Sequence, residues 1–251
     1  MHIVFKHIRD TNNIGDRWCS PFDHAPALTD HQTALDLAIP APACDAVIFG
    51  GGKIARSLHK YVGPNERAAA HRIAWGISTV QSFRFSPSYW RSFQAMSLVG
   101  SRDWGDKRFE YAPCASVMSP LFEKRYDETH DTVAYLHRWK SPKMAVEVPD
   151  HIPQLDNSAA TFEEVIAFLG SARTVVSNSY HGVFWSLVLG KKVLCLPFSN
   201  KFMHYRIAPG YSTPQDWVGD LTKAQDAPEM YEICLRASAT FTQKVKDLIY
   251  G

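Results

Sequence analysis

The strongest constraint on the fold lies in residues 173–201. Thr174-Val175-Val176 is a β-branched run with the character of a buried strand. Ser177-Asn178-Ser179-Tyr180-His181-Gly182 follows as a polar turn. Residues 183–189 are an apolar segment of helical length that stops at Gly190, and residues 193–198 are a second apolar strand. Strand, turn, helix and strand in that order make a βαβ unit. Its turn falls at the carboxyl end of the first strand, where open α/β sheets place their ligands. Two hydroxyls, an amide and an imidazole just ahead of free helical N–H groups suit an anion held beside a proton donor.

The same rhythm recurs along the chain. Ile3-Val4-Phe5 reads as the opening strand, followed by a polar loop in which Asn13-Ile14-Gly15-Asp16 either turns the chain into a helix or meets a ligand. Residues 28–39 read as a helix ended by Pro40-Ala41-Pro42. Residues 44–49 are a buried strand running straight into Gly50-Gly51-Gly52-Lys53. Three glycines allow positive φ angles and close backbone approach, as phosphate or sugar loops need, although a tight turn explains them nearly as well. The spacing is neither that of a Walker A loop nor G-x-G-x-x-G.

Residues 68–74 lead into Trp75-Gly76-Ile77-Ser78, a short strand and turn, and residues 89–96 read as a helix. Leu98-Val99-Gly100 precedes Arg102-Asp103, where the arginine either forks onto a carboxylate or phosphate or pairs with Asp103 to stabilise the loop. Residues 111–126 lack periodicity and read as a connection. The pattern restarts with a strand over 132–136, followed by His137-Arg138. Thr161, or one of residues 156–158, is placed to cap a helix over 162–169, with Glu163 and Glu164 suiting its dipole. A basic segment holding Lys201, His204 and Arg206 follows the strand at 193–198, and residues 230–249 read as one or two terminal helices. The expected fold is therefore α/β: two Rossmann-like parallel-sheet domains, 1–125 and 126–251, facing each other across a cleft, with the terminal helices free to pack back on the first.

Composition narrows the partners. Twenty-seven Lys and Arg against 25 Asp and Glu leave a net charge of +2, with no basic stripe, so nucleic acid is not expected. Five scattered cysteines with no C-x-x-C pair argue against both a zinc site and a disulfide framework and fit a reducing compartment. The apolar runs are too short for a membrane span, and no basic n-region with a long apolar run marks a signal peptide; a cytoplasmic protein is expected.

Taken together, Asn13-x-Gly15-Asp16, Gly50-Gly51-Gly52, Trp75-Gly76-x-Ser78, Arg102-Asp103 and above all Ser177-Asn178-Ser179-Tyr180-His181-Gly182 resemble, in order, the motifs of the polysaccharide pyruvyl transferase family. The resemblance spans roughly residues 12–206. It implies a GT-B-like fold and the transfer of enolpyruvyl carbons from phosphoenolpyruvate onto two sugar hydroxyls, giving a cyclic ketal and phosphate. No cofactor and no metal is implied. The partners it implies are phosphoenolpyruvate and a sugar or lipid-linked oligosaccharide, the latter bringing the protein to the inner face of the membrane. Some members carry Arg two positions before the motif histidine, where this chain has Ser179, so the charge must come from elsewhere: Arg102, Arg138, Lys201 or Arg206.

On this resemblance His181 is the general acid and Arg102 the anion clamp, with Lys201 and Arg206 as second cations. His137 or Asp16 activates the acceptor hydroxyl. Asn13, Gly15, Gly51, Gly52, Arg138, Ser179, Tyr180 and Gly182 complete the expected substrate contacts. Two other classes compete: a GT-B glycosyltransferase using a nucleotide sugar, and an inactive sugar- or phosphate-binding relative.

Overall fold

Each strand run found in the sequence is apolar at successive positions rather than alternate ones, the mark of a strand buried on both faces. The computed structural model, which describes residues 1–80, 87–158 and 161–251, bears this out. Its described strands form two sheets in which every ladder is parallel.

The first sheet holds β1 (Ile3–His7), β2 (Gln32–Asp36), β3 (Ala46–Gly50), β4 (His71–Ile77), β5 (Leu98–Ser101) and β6 (Glu110–Tyr111), in the spatial order β2-β1-β3-β4-β5-β6. Short helices α1 (Ile14–Arg17), α2 (Pro21–His24), α3 (Pro64–Ala68) and α4 (Pro87–Gln94) lie between its strands. The second sheet holds β7 (His130–Leu136), β8 (Gln154–Asp156), β9 (Ala172–Ser177), β10 (Lys192–Cys195) and β11 (Gly210–Tyr211), in the order β11-β10-β9-β7-β8. Its helices are α5 (Phe162–Gly170) and α6 (Tyr180–Val188), and the chain ends in α7 (Met230–Tyr250).

The chain divides into two compact units. The first comprises Met1–Thr11, Asp16–Met118 and Cys234–Gly251; the second comprises Asn12–Gly15 and Ser119–Ile233. In the first unit Val47, Phe49, Ala74 and Val99 pack on one face of the sheet. Ile3, Phe5, Ile48 and Trp75 pack on the other, covered by Phe241 and Val245 of α7. In the second, Ala134, Val176 and Leu194 pack with Ile152 and Trp217. Within that unit Thr161 and Glu164 close a capping box on α5, each side chain satisfying the other's backbone N–H.

One expected element is overturned. Residues 28–39, read as a helix, contain β2 instead. The open edge of β1 pairs with Gln32 to Asp36 in register from Ile3↔Gln32 to His7↔Asp36. The Asp36 carboxylate then accepts the N–H groups of Arg9, Asp10 and Ala38. Half-burial at every position of this edge strand removed the periodicity that would have marked it.

Candidate functional site

In both sheets the winding changes direction beside the first strand, between β1 and β3 and between β7 and β9. Doubly wound folds bind ligands in the crevice outside the strand ends at that point.

In the second unit the crevice is built by the polar turn. Ser177 closes β9, its hydroxyl donating to the Tyr135 carbonyl at 2.5 Å and accepting the Ser179 N–H at 3.1 Å. Asn178 is fully buried and ties the two strand ends together. Its Oδ1 accepts the His137 N–H at 2.7 Å, and its Nδ2 donates to the Ser141 hydroxyl at 2.9 Å, which in turn donates to the His137 carbonyl at 2.9 Å. Ser179 precedes α6 without a side-chain cap, so no side-chain oxygen of its own occupies the N–H groups of the first turn.

Helix α6 is buried along its whole length, as its nearly all-apolar sequence requires. Gly182 is the residue that allows it to dock, because a Cβ there would lie 2.3 Å from the Tyr135 ring. Tyr180 stacks on Tyr205 at 5.0 Å and accepts the Tyr205 hydroxyl on its carbonyl. His181 is buried, with its ring 5.4 Å from that of Tyr180 and 5.2 Å from that of Trp185. Gly15, held by the Asn13 side chain through its N–H at 3.1 Å, belongs to this same unit and presses on the imidazole: a Cβ at Gly15 would stand 2.1 Å from His181 Nδ1.

One cation sits beside this turn. Lys201 Nζ lies 4.8 Å from the Phe198 ring centroid, 4.9 Å from Phe202 and 5.9 Å from Tyr180. His137 packs edge-on to Phe198, and burial, together with Lys201 and Lys140, lowers its pKa. Near neutral pH it is therefore an uncharged imidazole, able to accept a proton. Arg138 is exposed; its N–H goes to Asn157 Oδ1 and one guanidinium nitrogen to Ser158. Arg206 is half-buried in the segment before β11.

The remaining candidates lie in the first unit. Gly51 and Gly52 carry φ of +66° and +73°, and Gly51 turns tightly over Cys19, whose sulfur would stand 2.1 Å from a Cβ at that position. The Asp16 Oδ1 lies 3.6 Å from the Cβ position of Gly52. Arg102 is buried, its N–H bonded to the Ile77 carbonyl, and Asp103 accepts from the Ser78 hydroxyl and the Val80 N–H. Burial pushes the Cys19 thiol well above its ordinary range, and the Cys114 thiol up as well; neither is a thiolate nucleophile.

The structure thus gathers Asn13, Gly15, His137, Arg138, Ser179, Tyr180, His181, Gly182, Lys201 and Arg206 in one unit and Asp16, Gly51, Gly52 and Arg102 in the other. Two partners escaped residue-by-residue reading: Ser141, which the Asn178 side chain holds, and Cys19 beneath the glycine turn. A serine just before Pro142 and a lone cysteine carry no local signal of such contacts. Among the described residues, no group of three or more His, Cys, Asp or Glu is placed to hold a metal ion, and no helix is long and apolar enough to cross a membrane.

The strand order makes each unit a doubly wound α/β structure. No protein-family model and no curated protein matches the chain. Among solved structures it is similar to the crystal structure of a functionally uncharacterised protein from Klebsiella pneumoniae subsp. pneumoniae NTUH-K2044. The two are 15% identical, with a TM-score of 0.48 covering 79% of this chain and 84% of that one.

Proposed function

We propose that the protein transfers a pyruvyl group from phosphoenolpyruvate to two hydroxyls of a sugar, as a GT-B-like enzyme. The observation that carries this reading is the packing of Gly15 on the His181 imidazole. Two short motifs that are 166 positions apart in the sequence, and that resemble the same transferase family, meet at one histidine.

His181 protonates the methylene carbon of phosphoenolpyruvate, leaving C2 electrophilic. A sugar hydroxyl adds to C2 and gives its proton to the neutral imidazole of His137. Phosphate then leaves C2 and takes up that proton from His137, and the second hydroxyl closes the ketal, its own proton returning to His181. Lys201 and Arg206 neutralise the departing phosphate. The acceptor is a saccharide, free or carried on a lipid.

The test is to incubate the full chain with phosphoenolpyruvate and a panel of aryl glycosides, following phosphate release and the mass of the ketal. His181→Ala should keep the native circular dichroism spectrum and lose about 10²- to 10⁴-fold in turnover. Near-normal turnover by that variant removes the proton-donor role. Consumption of a nucleotide sugar instead of phosphoenolpyruvate replaces the whole reading with glycosyl transfer.

A further inference from the structure

Asp156 ends β8, the edge strand beside β7, and residues around it line an open pocket of about 490 Å³ within the second unit. That volume falls in the roughly 300–1,000 Å³ range of small-molecule sites. Leu136 and Val146 contribute apolar surface to it, and Arg138, Gln154, Asp156 and Ser158 contribute the polar groups.

The carboxylate is only half used. Asp156 Oδ1 accepts the Ser158 N–H at 2.8 Å and the Ser158 hydroxyl at 2.5 Å, while among the described residues Oδ2 accepts no hydrogen bond. Asp36 ends β2, which holds the same place in the first sheet, and it makes the contrast plain. Both of its oxygens are taken by backbone N–H groups, Oδ2 by Arg9 and Asp10 and Oδ1 by Ala38. In one unit the strand-end carboxylate folds a turn; in the other it keeps an oxygen for something else.

The polar lining of the pocket, with Trp139 outside it against Arg138, suits one kind of molecule. Arg138 gives one nitrogen to Ser158 at 2.9 Å and stacks its guanidinium 5.5 Å from the Trp139 ring centroid, which holds the fork in place. Trp139 itself is 70% exposed, a large flat apolar ring left in water. An acceptor, a donor fork, an amide and an open aromatic face match a sugar ring, whose hydroxyls need both kinds of partner and whose C–H face packs on an indole. A carboxylate at the end of the second strand is also where dinucleotide-binding folds hold a ribose diol.

We propose that this pocket binds the vicinal diol of a sugar ring. Asp156 Oδ2 accepts from the two hydroxyls, Arg138 and Gln154 donate to ring or neighbouring oxygens, and Trp139 covers the apolar face. The diol belongs to a hexopyranoside or to the ribose of a nucleotide. The site stands whether or not pyruvyl transfer occurs, so binding tests it.

The full chain would be titrated, by saturation-transfer NMR and calorimetry, with methyl hexopyranosides, uridine and adenosine, alongside analogues whose diol is methylated. Saturable binding that requires the free diol is expected. Asp156→Asn, which keeps an oxygen for Ser158, and Trp139→Ala should each weaken binding on the order of tenfold. Hexopyranoside binding identifies a glycan as the ligand, and binding of nucleosides alone identifies a ribose; both uphold the diol site. Absence of binding by every sugar, or binding unchanged in both variants, overturns it. Diol binding weakened in both variants, with no ketal formed by the wild-type chain, keeps this site and removes the transfer reaction; ketal formation with sugar binding unchanged in both variants does the reverse.

Discussion

The two sheets wind in the same order, but the polar chemistry buried against their first strands differs in kind. In the first unit it is ionic. Lys6 of β1 donates to Glu66 of α3 at 2.5 Å with both side chains almost wholly buried, and Glu66 Oε1 also accepts the Ala41 N–H at 2.9 Å. The neighbouring His7 is buried as well. In the second unit it is neutral: Asn178 bonds Ser141 and the His137 N–H, and the Ser177 hydroxyl bonds the Tyr135 carbonyl of β7. One topology therefore fixes where the strand-end loops fall, while the choice of buried polar group fixes how each unit responds to mutation and to pH.

The sharpest way to break this contrast is Glu66→Ala. Burial alone would raise the Glu66 carboxyl, but Lys6 and the Ala41 N–H hold it below the usual carboxylate range. Removing it strands a buried ammonium, and the expected loss is about 3–5 kcal/mol by urea unfolding. Replacing both partners, as Lys6→Met with Glu66→Leu, should recover much of that loss, because the stranded charge goes with them. Hydrogen exchange should place the damage in β1 and β3 and leave β7 and β9 protected.

A smaller effect separates the units by pH. Burial, with help from Arg9, lowers the His7 pKa from 6.5 to about 4, the Asp36 carboxylate opposing the shift. Between those two values the unfolded chain binds a proton that the folded chain refuses. Stability is therefore complete above about pH 6.5 and falls as the pH drops toward 4, by at most on the order of 3 kcal/mol. Unfolding midpoints measured from pH 7.5 to 4.5 should show that slope, and His7→Asn should flatten it. A slope unchanged in the variant would assign the titration to other groups, His137 among them.

Much of this architecture is legible in the sequence. The runs that became β1, β3, β7, β9 and β10 are apolar at consecutive positions, and Thr161 with Glu164 announces α5. The turn at 177–182 stands out because polar residues interrupt two apolar segments. What stayed hidden depends on partners far away in the chain. A lysine in β1 reads as a surface residue until Glu66, sixty positions on, is brought to it. The strands β2, β6, β8 and β11 lie at or next to the sheet edges, and three of them span only two or three residues, too few to show a period. Nothing in Asn13-Ile14-Gly15 predicts that its glycine lies against His181, because close approach is decided by the partner's position and not by local pattern.

The neutral side of the comparison is sharpened by Asn178→Ala. The substitution leaves the His137 N–H without its acceptor and the Ser141 hydroxyl without its donor, although Ser141 still donates to the His137 carbonyl at 2.9 Å. With no charge stranded, the cost should be about 1–2 kcal/mol, well below that of Glu66→Ala. Its larger consequence should be positional. Asn178 is the side chain that ties His137 itself to the turn after β9, so its loss frees the segment carrying His137 relative to the turn carrying His181. If those histidines act on one substrate, turnover should fall by more than the stability loss explains, with a steeper fall in kcat than rise in KM, and Asn178→Asp should restore part of it through the retained Oδ1. A loss of stability with kcat unchanged would make Asn178 a structural residue alone and leave the two histidines independent of each other.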